Sequence, residues 1–287
     1  MTTHARTLRG YVADGKTRLV ISGYDALTAK TAALAGVEVL HLTGYGASAA
    51  LAAAPDIGLL SVTEMAGACA RMVEAADRPL IADIDTGYGN ALNVHRTIRT
   101  FERAGAAGIH LEDQVHPKRC GHMAGKRVVP AAEMVAKVKA ACDARLDDDF
   151  LIIARTDANT IEGLDAAIER AALYREAGAD MLFVESPLSR EEIVRIAGAD
   201  LGPQLFNWAY DGLTPHVPIS WLAELGFPLV LYADVAQVVH KAFAAFVGRL
   251  TACDSLDEIA DLVTGFDAFN SLMGLEEWRG LEARYNA

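Results

Sequence analysis

One feature constrains this chain more than any other: a regular alternation that runs its whole length. Eight short apolar runs recur at residues 19–22, 37–42, 80–83, 108–111, 150–154, 181–184, 204–207 and 229–232. None alternates cleanly between apolar and polar, as expected of strands buried on both faces of a parallel sheet. Between them lie stretches with apolar spacing near 3.6, including 61–76, 91–104, 130–144, 161–177 and 235–250. Gly36, Gly105, Gly178 and Gly226 each follow such a stretch just before the next run, where a helix ends in a left-handed residue. Eight β-then-α units predict an α/β fold, a (β/α)8 TIM-type barrel over residues 1–250. Residues 251–287 then form a C-terminal helical extension, with helical patterns at 255–263 and 266–285. Phe269, Leu272, Met273, Trp278 and Leu281 make it apolar enough to need a surface to pack on, its own barrel or another subunit.

Composition removes several classes of function. The net charge is −12 and no basic run is long enough to neutralise phosphates, so no nucleic acid partner is expected. No apolar stretch approaches the roughly 18 residues of a membrane span, and the first residues carry no apolar signal segment. Cys69, Cys120, Cys142 and Cys253 are scattered without framework spacing and read as reduced thiols. The expectation is a cytoplasmic enzyme acting on small molecules.

Barrel sites form at the C-terminal ends of the strands, and seven of the eight runs end in polar residues. Asp83 and Asp85 are two apart, so an extended strand points both to one side. With Glu112 nearby they suit a hard, oxygen-preferring ion, Mg2+ or alternatively Mn2+. Arg155 can hold a substrate carboxylate or pair internally with Glu112 or Glu185. Thr43, Gly44 and Tyr45 open a tight glycine loop whose N–H groups suit a carboxylate. The run Asp147-Asp148-Asp149 reads as a solvated turn. There is no nucleotide-binding glycine motif. In Lys118-Arg119-Cys120-Gly121-His122 a cysteine stands beside cations and a histidine, a setting that favours the thiolate. Zinc on Cys120, His122 and His116 is mis-spaced for a structural finger.

Four segments carry a resemblance: Asp83 to Gly89, His110 to Gln114, the cysteine motif and Arg155-Thr156-Asp157. In these the chain resembles the isocitrate lyase/phosphoenolpyruvate mutase superfamily along nearly its whole length, and its lyase branch in the cysteine motif. The resemblance implies a Mg2+-dependent carbon–carbon lyase cleaving a 2-hydroxydicarboxylate of the 2,3-dimethylmalate or methylisocitrate type to an oxo-acid such as pyruvate and a short acid. Oxaloacetate hydrolysis and phosphonate mutase chemistry are the alternatives. It implies metal at Asp83 and Asp85, catalytic roles for Cys120 as general acid, Glu112 and Arg155, and substrate contacts from Thr43, Gly44, Tyr45, Gly121, His122, Glu185 and Asn207. It also implies a homotetramer with exchanged C-terminal helices.

Three positions depart from the pattern. His41 replaces a common tyrosine and is a candidate base, a group behind the base, or strand packing. Ala209, after Trp208, replaces a threonine of methylisocitrate lyases, and Val238 an arginine. Losing those ligands favours a dicarboxylate with apolar substituents over a tricarboxylate.

Overall fold

The computed structural model describes residues 3–286. Its eight strands are β1 (Arg18–Gly23), β2 (Val39–Leu42), β3 (Leu80–Asp83), β4 (Gly108–Glu112), β5 (Leu151–Thr156), β6 (Met181–Val184), β7 (Leu205–Asn207) and β8 (Leu229–Tyr232). All pair in parallel in the order β6-β5-β4-β3-β2-β1-β8-β7. The parallel bridge Leu182↔Gln204 joins β6 to the start of β7, so the sheet closes into the expected barrel. The apolar runs therefore became strands to within two residues at each end.

Helices α1 (His4–Ala13), α2 (Ala26–Leu34), α3 (Gly44–Ala52), α4 (Val62–Ala76), α5 (Ala91–Arg103), α6 (Ala131–Ala144), α7 (Asn159–Glu162), α8 (Leu164–Glu176), α9 (Arg190–Ala197) and α10 (Ile219–Glu224) connect or precede the strands. Ser61 caps α4 through a reciprocal pair with Glu64, and Asn90 caps α5 in the same way with Asn93. Gly36, Gly105, Gly178 and Gly226 all have positive φ at helix ends, as their positions predict. The helical pattern at 161–177 is two helices, because Gly163 at φ 93° breaks it.

Two apolar clusters hold this unit. Alternate strand residues Val20, Val39, Ile81, Ile153, Phe183, Leu205 and Leu231 pack inside the barrel with Leu8 of α1. The other strand face packs on the helices, with Met72, Ile98, Phe101, Val138 and Tyr174 among its largest members. Helix α1 was not foreseen. Arg6 and Arg9 tie it to Asp149 and Asp180, which lie just before β5 and β6, so it plugs the N-terminal mouth. The acidic run at 147–149 is thus a docking point for α1 and not a free solvated turn.

Compact packing divides between Ala236 and Gln237. The second unit begins within α11 (Val235–Leu250) and continues through a 3-10 helix (Leu256–Leu262), α12 (Phe266–Leu272) and α13 (Leu275–Tyr285). Gly274, left-handed at φ 84°, splits the pattern predicted as one segment. Arg249 pairs with Asp261 within this unit. Helices α11, α12 and α13 bury no residue, and Phe243, Phe266 and Trp278 are more than three-fifths exposed.

Candidate active site

Above the apolar interior the inward positions turn polar, and the register of the sheet brings them together. Asp83 of β3 is level with His110 of β4, and Glu112 of β4 is level with Arg155 of β5. Glu185 and Asn207 follow at the ends of β6 and β7. Asp83, Asp85, Glu112, Arg155, Asp157 and Glu185 are all buried.

Asp83 and Asp85 converge, though not by strand pleating. β3 ends at Asp83, and Asp85 sits in a left-handed turn at φ 48°. Asp83 Oδ1 accepts the Asp85 N–H at 2.9 Å, and Oδ2 accepts the Gly44 N–H at 3.2 Å. Burial works to raise the Asp83 carboxyl, but His110, Lys118 and Arg155 hold it below the usual carboxylate range. Burial lifts Asp85 to about 6, against the pull of Lys118. Lys118 Nζ lies 2.7 Å from Asp56 and 2.9 Å from Asp85 Oδ1, fully inside the protein. Both oxygens of Glu112 are buried without a hydrogen-bond partner, and burial holds its carboxyl well above the usual range.

Arg155 is committed within the protein. Its Nε and Nη2 fork onto Asp157 at 2.9 and 3.0 Å, while Nη1 reaches Glu112 at 3.4 Å and Nη2 reaches Glu185 at 3.5 Å. The internal pairs weighed from sequence are both present. The fork expected for a substrate carboxylate is occupied by Asp157, leaving Nη1 as the less committed donor. Arg155 and Lys126 hold Asp157 at about 2 despite its burial.

The glycine loop after β2 is instead the first turn of α3, capped by Thr43. Its N–H groups are not all available: Gly44 donates to Asp83, and Gly46 donates to Thr43 Oγ1 at 3.4 Å. Tyr45 is half-buried at this turn.

The cysteine loop lies down on this cage. Gln114 brackets Arg119 through both amide ends, Cys120 N–H donates to Asp56 O at 3.0 Å, and Lys126 bridges Gly121 O and Asp157. Gly121 rests on Arg155 and Glu185 so closely that a β-carbon there would lie 2.5 Å from Arg155 Nη2. His122 Nδ1 accepts the Leu213 N–H at 3.0 Å, and its Nε2 lies 3.3 Å from Asn207 Nδ2 and 3.6 Å from Glu185. Burial pushes the Cys120 thiol up to about 11, only partly offset by the His122 backbone N–H. The thiolate expected from its neighbours is therefore overturned. Lys118 turns inward to carboxylates and Arg119 turns to Ala124 O, so neither serves the sulfur.

His41 is also reassigned. Its Nδ1 lies 2.9 Å from Ser22 Oγ, its Nε2 lies 2.8 Å from His110 Nε2, and burial pushes it down to about 3. Neither nitrogen is left to take a proton from a substrate. Asp56, Lys126, His110 and Asp157 were not singled out from sequence. His110 and Asp157 stood inside quoted motifs, whereas Asp56 gave no local signal.

Trp208 and Ala209 line a cavity of about 460 Å3 with Tyr210, Val217, Pro218 and Tyr232, bordered by Arg190 and His216. Val238 lies on α11, 54% exposed. All four cysteines are free. Among the described residues no helix is long and apolar enough to cross a membrane, and no three His, Cys, Asp or Glu side chains are already gathered as a metal cluster.

The cage nevertheless fits a divalent cation. Both Glu112 oxygens are buried without hydrogen bonds, an arrangement costly unless a cation or protons compensate it, and Asp85 Oδ1 beside them meets only the Lys118 ammonium. All are hard oxygen donors.

The family model described as phosphoenolpyruvate phosphomutase matches residues 9–251. The chain is 44% identical to 2,3-dimethylmalate lyase of Eubacterium barkeri, over 98% of each chain. Among solved structures, oxaloacetate acetylhydrolase with 3,3-difluorooxalacetate superposes with a TM-score of 0.93 at 30% identity, covering 99% of this chain and 98% of that one. Phosphonopyruvate hydrolase with oxalate and Mg2+ gives a TM-score of 0.90 at 28% identity over the full length of both.

Proposed function

This chain belongs to the phosphoenolpyruvate mutase/isocitrate lyase superfamily, and from that premise we propose that it is a carbon–carbon lyase. Its substrate is a 2-hydroxydicarboxylate with apolar substituents, of the 2,3-dimethylmalate type, cleaved to a 2-oxo acid such as pyruvate and a short carboxylic acid. The observation that carries this reading is Cys120, a protonated thiol on a loop seated over a buried acidic cage.

Asp83 and Asp85, with Glu112 beside them, would hold Mg2+ or Mn2+. When bound, such a cation supplies positive charge for the 2-oxygen and carboxylate of the substrate. Glu112, whose proton affinity burial raises, would act as the base once it has given up its own proton in a bound cation's field, and would then take the hydroxyl proton. As the C2–C3 bond breaks, its electron pair passes to the departing acid as an enolate. The Cys120 thiol gives that carbon its proton, so the step is redox-neutral and needs no further reactant. Arg155 Nη1, His122 and Asn207 face the substrate carboxylates, and Gly121 lets the loop approach closely enough to exclude water. The mostly apolar cavity at Trp208 and Ala209, directly after Asn207, receives alkyl substituents. The exposed apolar faces of α11, α12 and α13 support exchange of these helices between subunits of a homotetramer.

The test is turnover of substituted malates, methylisocitrate and oxaloacetate with Mg2+, reading pyruvate and oxalate. Pyruvate from 2,3-dimethylmalate, reduced at least about 100-fold in Cys120→Ser, is the expected result. Oxalate from oxaloacetate would instead favour the hydrolase reading, which the superposition on oxaloacetate acetylhydrolase supports. No product from any member of the panel would overturn the lyase assignment.

A further inference from the structure

Four adjacent strands carry a continuous line of polar side chains under the acidic cage. Ser22 on β1 is level with His41 on β2, and Asp83 on β3 is level with His110 on β4. Ser22 Oγ lies 2.9 Å from His41 Nδ1, His41 Nε2 lies 2.8 Å from His110 Nε2, and His110 Nδ1 lies 3.7 Å from Asp83 Oδ1. Every member is buried, and His110 Nδ1 has no other partner. The two rings lie nearly parallel, 15° apart.

With both rings neutral, proton counting leaves two arrangements of this line. The 2.8 Å contact between two Nε2 atoms requires one donor and one acceptor. If His110 is the donor, its Nδ1 is a bare lone pair aimed at the Asp83 carboxylate, and two negative groups face each other in a dry interior. If His41 is the donor, His110 Nε2 accepts and its Nδ1 carries the proton toward Asp83. His41 Nδ1 is then an acceptor, and the Ser22 hydroxyl can donate to it. Of the two neutral arrangements, only this one satisfies every atom with the right sign. At 3.7 Å the last contact is too long for a hydrogen bond, so its effect is that of an N–H dipole directed at a charge.

We propose that Ser22 and His41 lock His110 as its Nδ1–H tautomer, so that the imidazole presents a proton and not a lone pair to Asp83, and that His41 is thereby a positioning residue for the cation-binding carboxylate. This rests on the proposed function only in assigning a cation to Asp83; the tautomer itself is independent of any reaction. It also accounts for the departure at position 41. A tyrosine could donate to His110 through its hydroxyl, and His41 supplies the same donor through Nε2 while recruiting Ser22 behind it. The logic is that of a group behind a ligand, whose loss commonly weakens a metal site 10- to 100-fold.

The experiment uses full-length protein labelled with 15N-histidine, without substrate. Long-range 1H–15N correlation should find His110 protonated on Nδ1 and His41 on Nε2. His41→Phe should leave His110 mixed or inverted and weaken Mg2+ binding, read calorimetrically with the metal alone, by about 10-fold or more. His41→Gln keeps an acceptor for Ser22 and an amide donor near the Nε2 position, so it should restore both readouts to within about threefold of wild type. A His110 protonated on Nε2 in the wild type overturns the proposal, and so does His41→Phe with unchanged tautomer and Mg2+ affinity. If His41→Phe does not fold, the wild-type tautomer and His41→Gln still decide. A correct tautomer in a protein that cleaves none of the acids would overturn the lyase reading and leave this one standing.

Discussion

Gly121→Ala is the sharpest perturbation this geometry offers. The new β-carbon would sit 2.5 Å from Arg155 Nη2, 2.7 Å from Glu185 Cγ and 2.9 Å from Glu185 Cδ. Favourable contacts lie near 3.5 Å, so about 1 Å of movement is required. Neither neighbour is a free side-chain tip. Arg155 is forked onto Asp157, and Glu185 accepts the Ser186 N–H at 2.7 Å. Either that pair shifts or the cysteine loop lifts, and both misplace groups proposed to act on the substrate. A 1 Å error at a reacting centre costs on the order of 100-fold, which is about 2.7 kcal/mol at 1.36 kcal/mol per tenfold. The assay is kcat/KM for pyruvate release, with the rate of Cys120 alkylation as a second readout. We expect activity to fall about 100-fold with a nearly unchanged melting temperature, and alkylation to speed up because the lifted loop exposes the sulfur. Activity within about threefold of wild type, with unaltered alkylation, would refute the idea that the loop seats on Arg155 and Glu185 during turnover.

Lys118→Met should leave Asp56 and Asp85 buried without their cation. Breaking one side of such a pair costs about 3–5 kcal/mol. Added Mg2+ should restore much of that stability by binding the folded state, and denaturant unfolding with and without Mg2+ checks it; a loss that Mg2+ does not touch would count against the cation site. Cys120 should resist iodoacetamide at pH 8 and react increasingly toward pH 11, because burial raises its thiol to about 11 from an ordinary value of 9.0. The sign for stability follows: the raised folded value contributes stability that is fully present below the unfolded value and is lost as pH rises from about 9 through 11. A thiol titrating near pH 7 by ultraviolet absorbance would sink the assignment of Cys120 as a proton donor.

The barrel was legible because its signals are local. Short apolar runs recur eight times, with helical periodicity between them and glycines at positive φ closing four of the helices, and each signal is set by residues next to one another. The misses share the opposite property. α1 is short and precedes the first β-then-α unit, and what places it is Leu8 in the barrel floor and two arginines reaching acids about 140 or more positions away. The aspartate run looked solvated because its partners lie far off in sequence. Asp83 and Asp85 were correctly brought together for a partly wrong reason: the strand stops at Asp83, and a left-handed turn, not the pleat, returns Asp85 to the same side. His41 next to Leu42 reads as an ordinary strand residue or a candidate base. Only the register of four strands shows that both its nitrogens are already taken.

The cysteine motif shows how the sign of a local field can mislead. In sequence, Cys120 follows two cations, and nearest neighbours argue for a thiolate. In the fold, Lys118 and Lys126 leave the sulfur to meet carboxylates, and Arg155 is surrounded by Glu112, Asp157 and Glu185. Asp56, Asp83 and Asp85 add three more acids to those three, so six carboxylates face only three cations. That surplus of negative charge bears on two properties at once. Burial first, and this surplus second, leave Asp85 and Glu112 holding protons more tightly than usual, which a divalent cation would relieve. The surplus also works with burial against ionising Cys120, since Asp56 and Glu185 both disfavour the thiolate. A sulfur kept protonated beside a cation site suits the donation of a proton to a carbanion and is poorly suited to nucleophilic attack.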